Sequence, residues 1–81
     1  MALNLLFVEN GDYFRDIIGG RLRRKDFSFF SAGQLGETEK IIARNPIDVG
    51  LVDLSSLKIE GVRVIEEIKR LRPRVEIITI N

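Results

Sequence analysis

Apolar residues fall into four short runs, separated alternately by turn-forming clusters and by amphipathic stretches. Leu3 to Val8, LNLLFV, is apolar except for Asn4 and has the length of a strand buried on both faces. Glu9-Asn10-Gly11-Asp12 stops it with turn and helix-capping chemistry, and Asp12 is the candidate N-cap of the next segment. From Tyr13 to Lys25, Phe14, Ile17, Ile18 and Leu22 recur at helical spacing. Gly19 and Gly20 weaken that helix by about 1 kcal/mol each relative to Ala. Phe27 to Ala32, FSFFSA, alternates in part and reads as a second strand. Gln34 to Arg44 is a second helix with Leu35, Ile41 and Ile42 on its apolar face, ended at Asn45-Pro46 because a residue before proline avoids the helical region. Ile47 to Val52 is the third strand. Gly61 to Arg72 is the clearest helix, with Val62, Val64, Ile65, Ile68 and Leu71 on one side and Glu66, Glu67, Lys69 and Arg70 outward. Pro73 stops it, and Val75 to Ile80, VEIITI, is the fourth strand.

The order is β-α-β-α-β-α-β. Right-handed crossovers make this an α/β fold, a parallel sheet with helices on both faces, in a single domain over residues 1–81. Composition narrows the chemistry. There are no cysteines and no histidines, so disulfides, thiolate metal sites, cysteine nucleophiles and histidine bases are excluded. A net charge of +1 makes no electrostatic case for nucleic acid. The basic run Arg21, Arg23, Arg24, Lys25 reads as a solvated helix end whose cations complement the dipole, since neither interleaved aromatics nor a second basic cluster accompany it. No apolar run approaches the ~20 residues of a membrane span, and Met-Ala-Leu-Asn lacks a basic signal-peptide start. The expected compartment is the cytoplasm, with neither membrane nor nucleic acid as a partner.

Candidate chemistry concentrates at the ends of strands. The third strand closes on a lone acid, Asp53, and open α/β sheets place their sites at the carboxyl ends of their strands. Glu9 and Asn10 follow the first strand and lie beside Asp53 if the two strands are neighbours. Such oxygens suit a hard cation such as Mg²⁺, which takes one or two carboxylates and keeps several waters. Asp53 is also a candidate nucleophile, because aspartate carboxylates form acyl phosphates. The plainer alternative is an acid that caps the following turn or pairs with a lysine. Both readings stand at this point.

Three segments, taken together and in order, resemble the receiver domain of two-component response regulators. LLFVENGDYFRDII is similar to that family's first strand, acidic pair and first helix. IDVGLVDLSSLKIEGVRVIEEIKRLRP is similar to the segment around the phosphorylated aspartate, and VEIITIN to the fourth strand. The resemblance implies a flavodoxin-like receiver fold with strand order 2-1-3-4, Asp53 as phosphoacceptor, Glu9 and Asn10 as the Mg²⁺-holding pair, and a backbone carbonyl at Ser55 completing the metal site. Asn81 falls near the switch position at the end of the fourth strand, with Thr79 two residues earlier. It also implies a histidine kinase or phosphotransfer protein as partner. Three departures temper those expectations. Asn10 stands where the directly metal-bound acid belongs, so Mg²⁺ binding is expected to be weak or absent. Leu57 replaces a proline usual in the loop after the phosphoacceptor. The fifth strand, the final helices and the phosphoryl-contacting lysine have no counterpart after Asn81, so the expectation is a partial receiver domain.

Three functions follow as expectations. The first is a signalling receiver whose Asp53 takes phosphate from a histidine kinase in the complete protein, with that chemistry impaired in this chain. The second is a degenerate receiver acting as an interaction or dimerisation module. The third, a small Mg²⁺-dependent hydrolase, is the weakest because no general acid–base residue or substrate pocket can be named. The chain is therefore expected not to be an enzyme. VEIITI, apolar and uncharged except for Glu76, is an unprotected edge, and a homodimer joined through residues 75–80 is expected.

Overall fold

The computed structural model describes residues 3–11 and 27–81. Strand β1 spans Leu3–Val8 and β2 Phe27–Ala32. Helix α1 follows over Leu35–Arg44, then β3 over Val49–Asp53. A short helix α2, Leu54–Leu57, leads into the long helix α3, Ile59–Leu71, and β4 spans Glu76–Ile80. The strands form one sheet in the order β2-β1-β3-β4, and every pairing is parallel. The expected sheet and strand order are therefore present. The helix expected over Tyr13 to Lys25 lies outside the described residues.

Alternation along the strands sorts side chains between the two faces. Leu6 and Val8 of β1, Ala32 of β2 and Val52 of β3 join Ile42 of α1 and Val64 and Ile68 of α3 in one buried cluster. That cluster seats α1 and α3 on the same face of the sheet. Gly50 lies beneath α3, where an added Cβ would stand 3.6 Å from Ile68 Cδ1. Leu5 and Phe7 alternate to the opposite face, and both are buried. There the Phe7 and Phe29 rings stack with centroids 6.2 Å apart.

Polar residues inside these elements have local explanations. Asn4 interrupts the apolar run of β1, and it ties the amino-terminal edge of the sheet together. Its side-chain amide donates to the Pro46 carbonyl at 2.7 Å, and its backbone N–H donates to Asp48 Oδ2 at 2.8 Å. Thr38, fully buried in α1, donates its hydroxyl to the Gln34 carbonyl at 2.9 Å. Asn45 closes α1: both its backbone N–H and its side-chain amide donate to the Ile41 carbonyl. The Ile47 N–H then donates to the Asn45 carbonyl at 3.0 Å, a tight turn over Pro46 that delays β3 to Val49.

The connection after β3 is more structured than a loop. Leu54–Leu57 makes a single helical turn, and α3 starts at Ile59, two residues before Gly61. Gly61 lies inside α3, against that turn. A Cβ there would stand 2.6 Å from Leu54 Cδ2 and 3.3 Å from Leu57 Cβ, so a glycine lets the two helices approach. Between them Lys58 has φ 56° and ψ −125°, the one positive-φ non-glycine residue among those described.

Candidate functional site

Parallel pairing brings the carboxyl ends of β1 and β3 side by side. Val8 is in register with Val52, so Glu9 and Asp53 each follow a matched pair on adjacent strands. Asp53 is in turn in register with Ile80, and Asn81 follows at the same edge, exposed to solvent. Glu9 is 2% and Asp53 6% exposed, so two carboxylates are held in the sheet edge largely away from water. A carboxylate is costly to bury without hydrogen-bond donors. The Gly11 N–H donates to Glu9 Oε2 at 3.1 Å, and an added Cβ on Gly11 would lie 3.3 Å from that oxygen.

Asp53 is the N-cap of α2. Its Oδ1 accepts the Ser55 N–H at 3.0 Å and the Ser55 hydroxyl at 2.6 Å. This is the capping role that the sequence left open, and it occupies only one of the two carboxylate oxygens. Among the described residues no donor reaches Oδ2. Asp53 therefore combines a fixed orientation with one uncommitted oxygen at the carboxyl edge of a parallel sheet.

Asn10 is exposed, and its backbone provides its contact with the rest of the edge: the N–H donates to Ser56 Oγ at 3.0 Å. Ser56 in turn donates to the Asp53 backbone carbonyl at 3.3 Å. The structure thus brings Asn10, Asp53 and Ser55 into one hydrogen-bonded neighbourhood, with Glu9 placed beside them by register and Asn81 on the far side of Asp53. Sequence reasoning missed Ser56. The only signal for it was a second serine directly after Ser55.

The donor set suits a hard cation in kind, since two carboxylates, Glu9 and Asp53, are placed at one edge by the strand register. It is thin in number: no group of three or more acidic, histidine or cysteine side chains converges among the described residues. Glu9, Asp53 and water would have to carry most of the coordination. No described helix is long and apolar enough to cross a membrane.

The site thus sits on a parallel α/β sheet of order 2-1-3-4, with a buried aspartate capping the turn after its third strand. No family model and no curated protein match the chain in sequence. Solved structures do match in fold. A substituted form of the MaeR response regulator bound to sulfate superimposes with a TM-score of 0.80 at 22% identity, covering 99% of this chain and 67% of that one. A response regulator from Burkholderia pseudomallei, carrying a phosphorylated aspartic acid, a calcium ion and citrate, gives 0.83 at 21% identity over 95% of this chain and 45% of that one. MaeR bound to beryllium trifluoride gives 0.79 at 22% identity over 96% and 66%. The chain has the fold of response-regulator receiver domains over nearly its whole length, and it spans about two thirds or less of the chains it matches.

Proposed function

We propose that this chain is a signalling receiver whose Asp53 accepts a phosphoryl group from a histidine kinase or phosphotransfer protein. The observation that carries this reading is the state of Asp53: buried, oriented by two donors on Oδ1, and uncommitted at Oδ2. Oδ2 attacks the phosphorus of a phosphohistidine, the P–N bond breaks, and the imidazole leaves with the electron pair. The product is an aspartyl phosphate. The chain supplies the acceptor and not a turnover cycle of its own, so its role is that of a signalling module and not an enzyme.

Mg²⁺ would be held by Glu9, Asp53 and the Ser55 carbonyl, with Asn10 contributing at most a neutral oxygen; when bound, it neutralises phosphoryl charge. Asn10 in place of an acid predicts weak binding and slow phosphorylation. Asn81, at the end of β4, is the proposed switch position that responds to the phosphoryl group. The working compartment is the cytoplasm, where histidine kinases present their phosphohistidine. β4 is the proposed dimer edge, supported by its place at the end of the sheet and by Ile78, which is 52% exposed.

A second reading is favoured by the same contacts. A receiver that had lost phosphotransfer would keep Asp53 as the cap of α2 and use the module for protein association. Acetyl phosphate with Mg²⁺, followed by intact-mass measurement, separates the two. The first reading expects an adduct of one phosphoryl group on the wild-type chain and none on Asp53→Asn. An unmodified wild-type chain at saturating Mg²⁺ favours the second.

A further inference from the structure

We infer that Ser56 is a positioning residue for the site: its hydroxyl latches the Glu9–Asn10 segment after β1 to the turn that carries Asp53. The inference rests on the phosphoacceptor reading for its chemical consequence, and on the hydrogen bonds alone for the latch itself. Two strands in register bring their ends together only as far as the last paired residues, Val8 and Val52. Beyond them Glu9 is still held to β2 through its N–H on the Ala32 carbonyl and Asp53 is still paired with Ile80, but no strand pairing joins these two segments to each other. The Ser56 hydroxyl provides a bridge across 46 residues of sequence, accepting from the Asn10 N–H at 3.0 Å and donating to the Asp53 carbonyl at 3.3 Å.

The geometry uses both properties of a hydroxyl, one lone pair and one proton, and few side chains of that size offer both. Ser56 sits in the turn of α2, whose orientation is itself set by Asp53 capping through Ser55. The two serines therefore divide the task. Ser55 orients the Asp53 carboxylate, and Ser56 sets how closely the backbone of the acidic segment approaches it. Any cation shared between Glu9 and Asp53 depends on that separation, because Mg²⁺ tolerates little departure from its short, near-octahedral oxygen distances. Losing the latch is then expected to weaken metal binding without removing a ligand, and to act on affinity and not on the transfer step.

Amide hydrogen exchange and Mg²⁺ titration, both followed by ¹⁵N NMR on wild type, Ser56→Ala and Ser56→Thr, test this. The expected result is a protected Asn10 amide in wild type, loss of that protection in Ser56→Ala, and its return in Ser56→Thr, which keeps the hydroxyl. Mg²⁺ binding should weaken roughly three- to tenfold in Ser56→Ala, the range of one lost hydrogen bond. Phosphorylation by acetyl phosphate should slow at low Mg²⁺ and recover at saturating Mg²⁺. Unchanged Asn10 exchange and unchanged Mg²⁺ affinity in Ser56→Ala overturn the inference. So does an equal loss in Ser56→Thr, which would make the position one of packing alone. Should Ser56→Ala not fold, an Asn10 amide in wild type exchanging at the open-chain rate is itself sufficient to overturn it. A wild-type chain that neither binds Mg²⁺ nor takes phosphate overturns the phosphoacceptor reading and the metal half of this inference, and the exchange arm still decides the latch.

Discussion

The two oxygens of Asp53 have separate roles. Oδ1 is spent on the Ser55 N–H and hydroxyl, which fixes the carboxylate plane, and no described donor competes for Oδ2. Capping and phosphate acceptance are compatible in one residue for that reason. In the proposed metal site the weak point is Asn10, an amide where the resemblance to receiver domains implies an acid. Restoring that charge is a direct test: Asn10→Asp is expected to tighten Mg²⁺ binding by roughly tenfold, the effect of one added carboxylate near a divalent ion in a solvated site. An NMR titration reads it, and an unchanged affinity would remove residue 10 from the metal site. Lys58 carries a different kind of cost. Its φ of 56° with ψ −125° is a backbone state that only glycine adopts freely. Strain of that kind costs on the order of 1–3 kcal/mol. Lys58→Gly is therefore expected to stabilise the fold by about 1 kcal/mol in urea unfolding, after the extra freedom glycine gives the unfolded chain is set against the relief. Destabilisation would show that Lys58 contributes contacts outweighing its strain.

Elements, more than residues, were legible in the sequence. LNLLFV and FSFFSA are β1 and β2 to the residue, and α1 differs from its expected range only in that Gln34 is its cap. Those segments carry their own period and their own stop signals. α2 was not legible, because four residues are too few to show a helical period, and its existence depends on Asp53 supplying a cap. The start of β3 at Val49 was missed for a related reason: Ile47 has strand character, but its N–H is turned back onto Asn45. The adjacency of Glu9 and Asp53 was legible because both are acids at the ends of strands that pair, whereas the contacts of Ser56 were not, because they depend on which segment comes near. Between α1 and α3, Glu39, Glu67 and Arg70 form another contact that sequence does not announce. The Arg70 guanidinium hydrogen-bonds Glu67 and holds its carboxyl below the usual range, while the hydrogen bond with Glu67 pushes that of Glu39 up. The signs then oppose each other. Glu39, raised in the folded state, adds stability below the ordinary glutamate pKa that is lost as pH rises through its folded value. Glu67, lowered, adds stability above the ordinary pKa that is lost as pH falls through its folded value. Their sum is a shallow maximum near the ordinary carboxylate range. Glu39→Gln, a permanent donor to Glu67, is expected to gain on wild type at neutral pH and to lose that advantage on acidification through the Glu39 value. Parallel stability curves for the two chains from pH 7 to 4 would exclude the shared proton.

At the scale of the whole molecule, the fold presents its site and its exposed edge on different features. The site lies at the carboxyl ends of β1 and β3, in the middle of the sheet, and β4 forms a border strand with Ile78 half exposed and Glu76 and Thr79 outward. A border strand that exposes an apolar side chain is a template for strand pairing, and a lysine is a usual block. Sedimentation velocity is expected to find wild type as a dimer and Ile78→Lys as a monomer; a monomeric wild type at micromolar concentration would contradict the dimer edge. The fold itself is shared with MaeR and with the Burkholderia pseudomallei regulator at identities of 22% and 21%, which leaves the chemistry of Asp53 as the claim that distinguishes a working receiver from a retained scaffold. Borohydride reduction tests it most directly. An aspartyl phosphate is an acyl phosphate, and reduction converts its carbonyl carbon to an alcohol, leaving homoserine where the aspartate stood. After treatment with acetyl phosphate and Mg²⁺, then borohydride, peptide sequencing by mass spectrometry is predicted to find homoserine at position 53. Aspartate intact at 53, or homoserine at another position, would contradict the account.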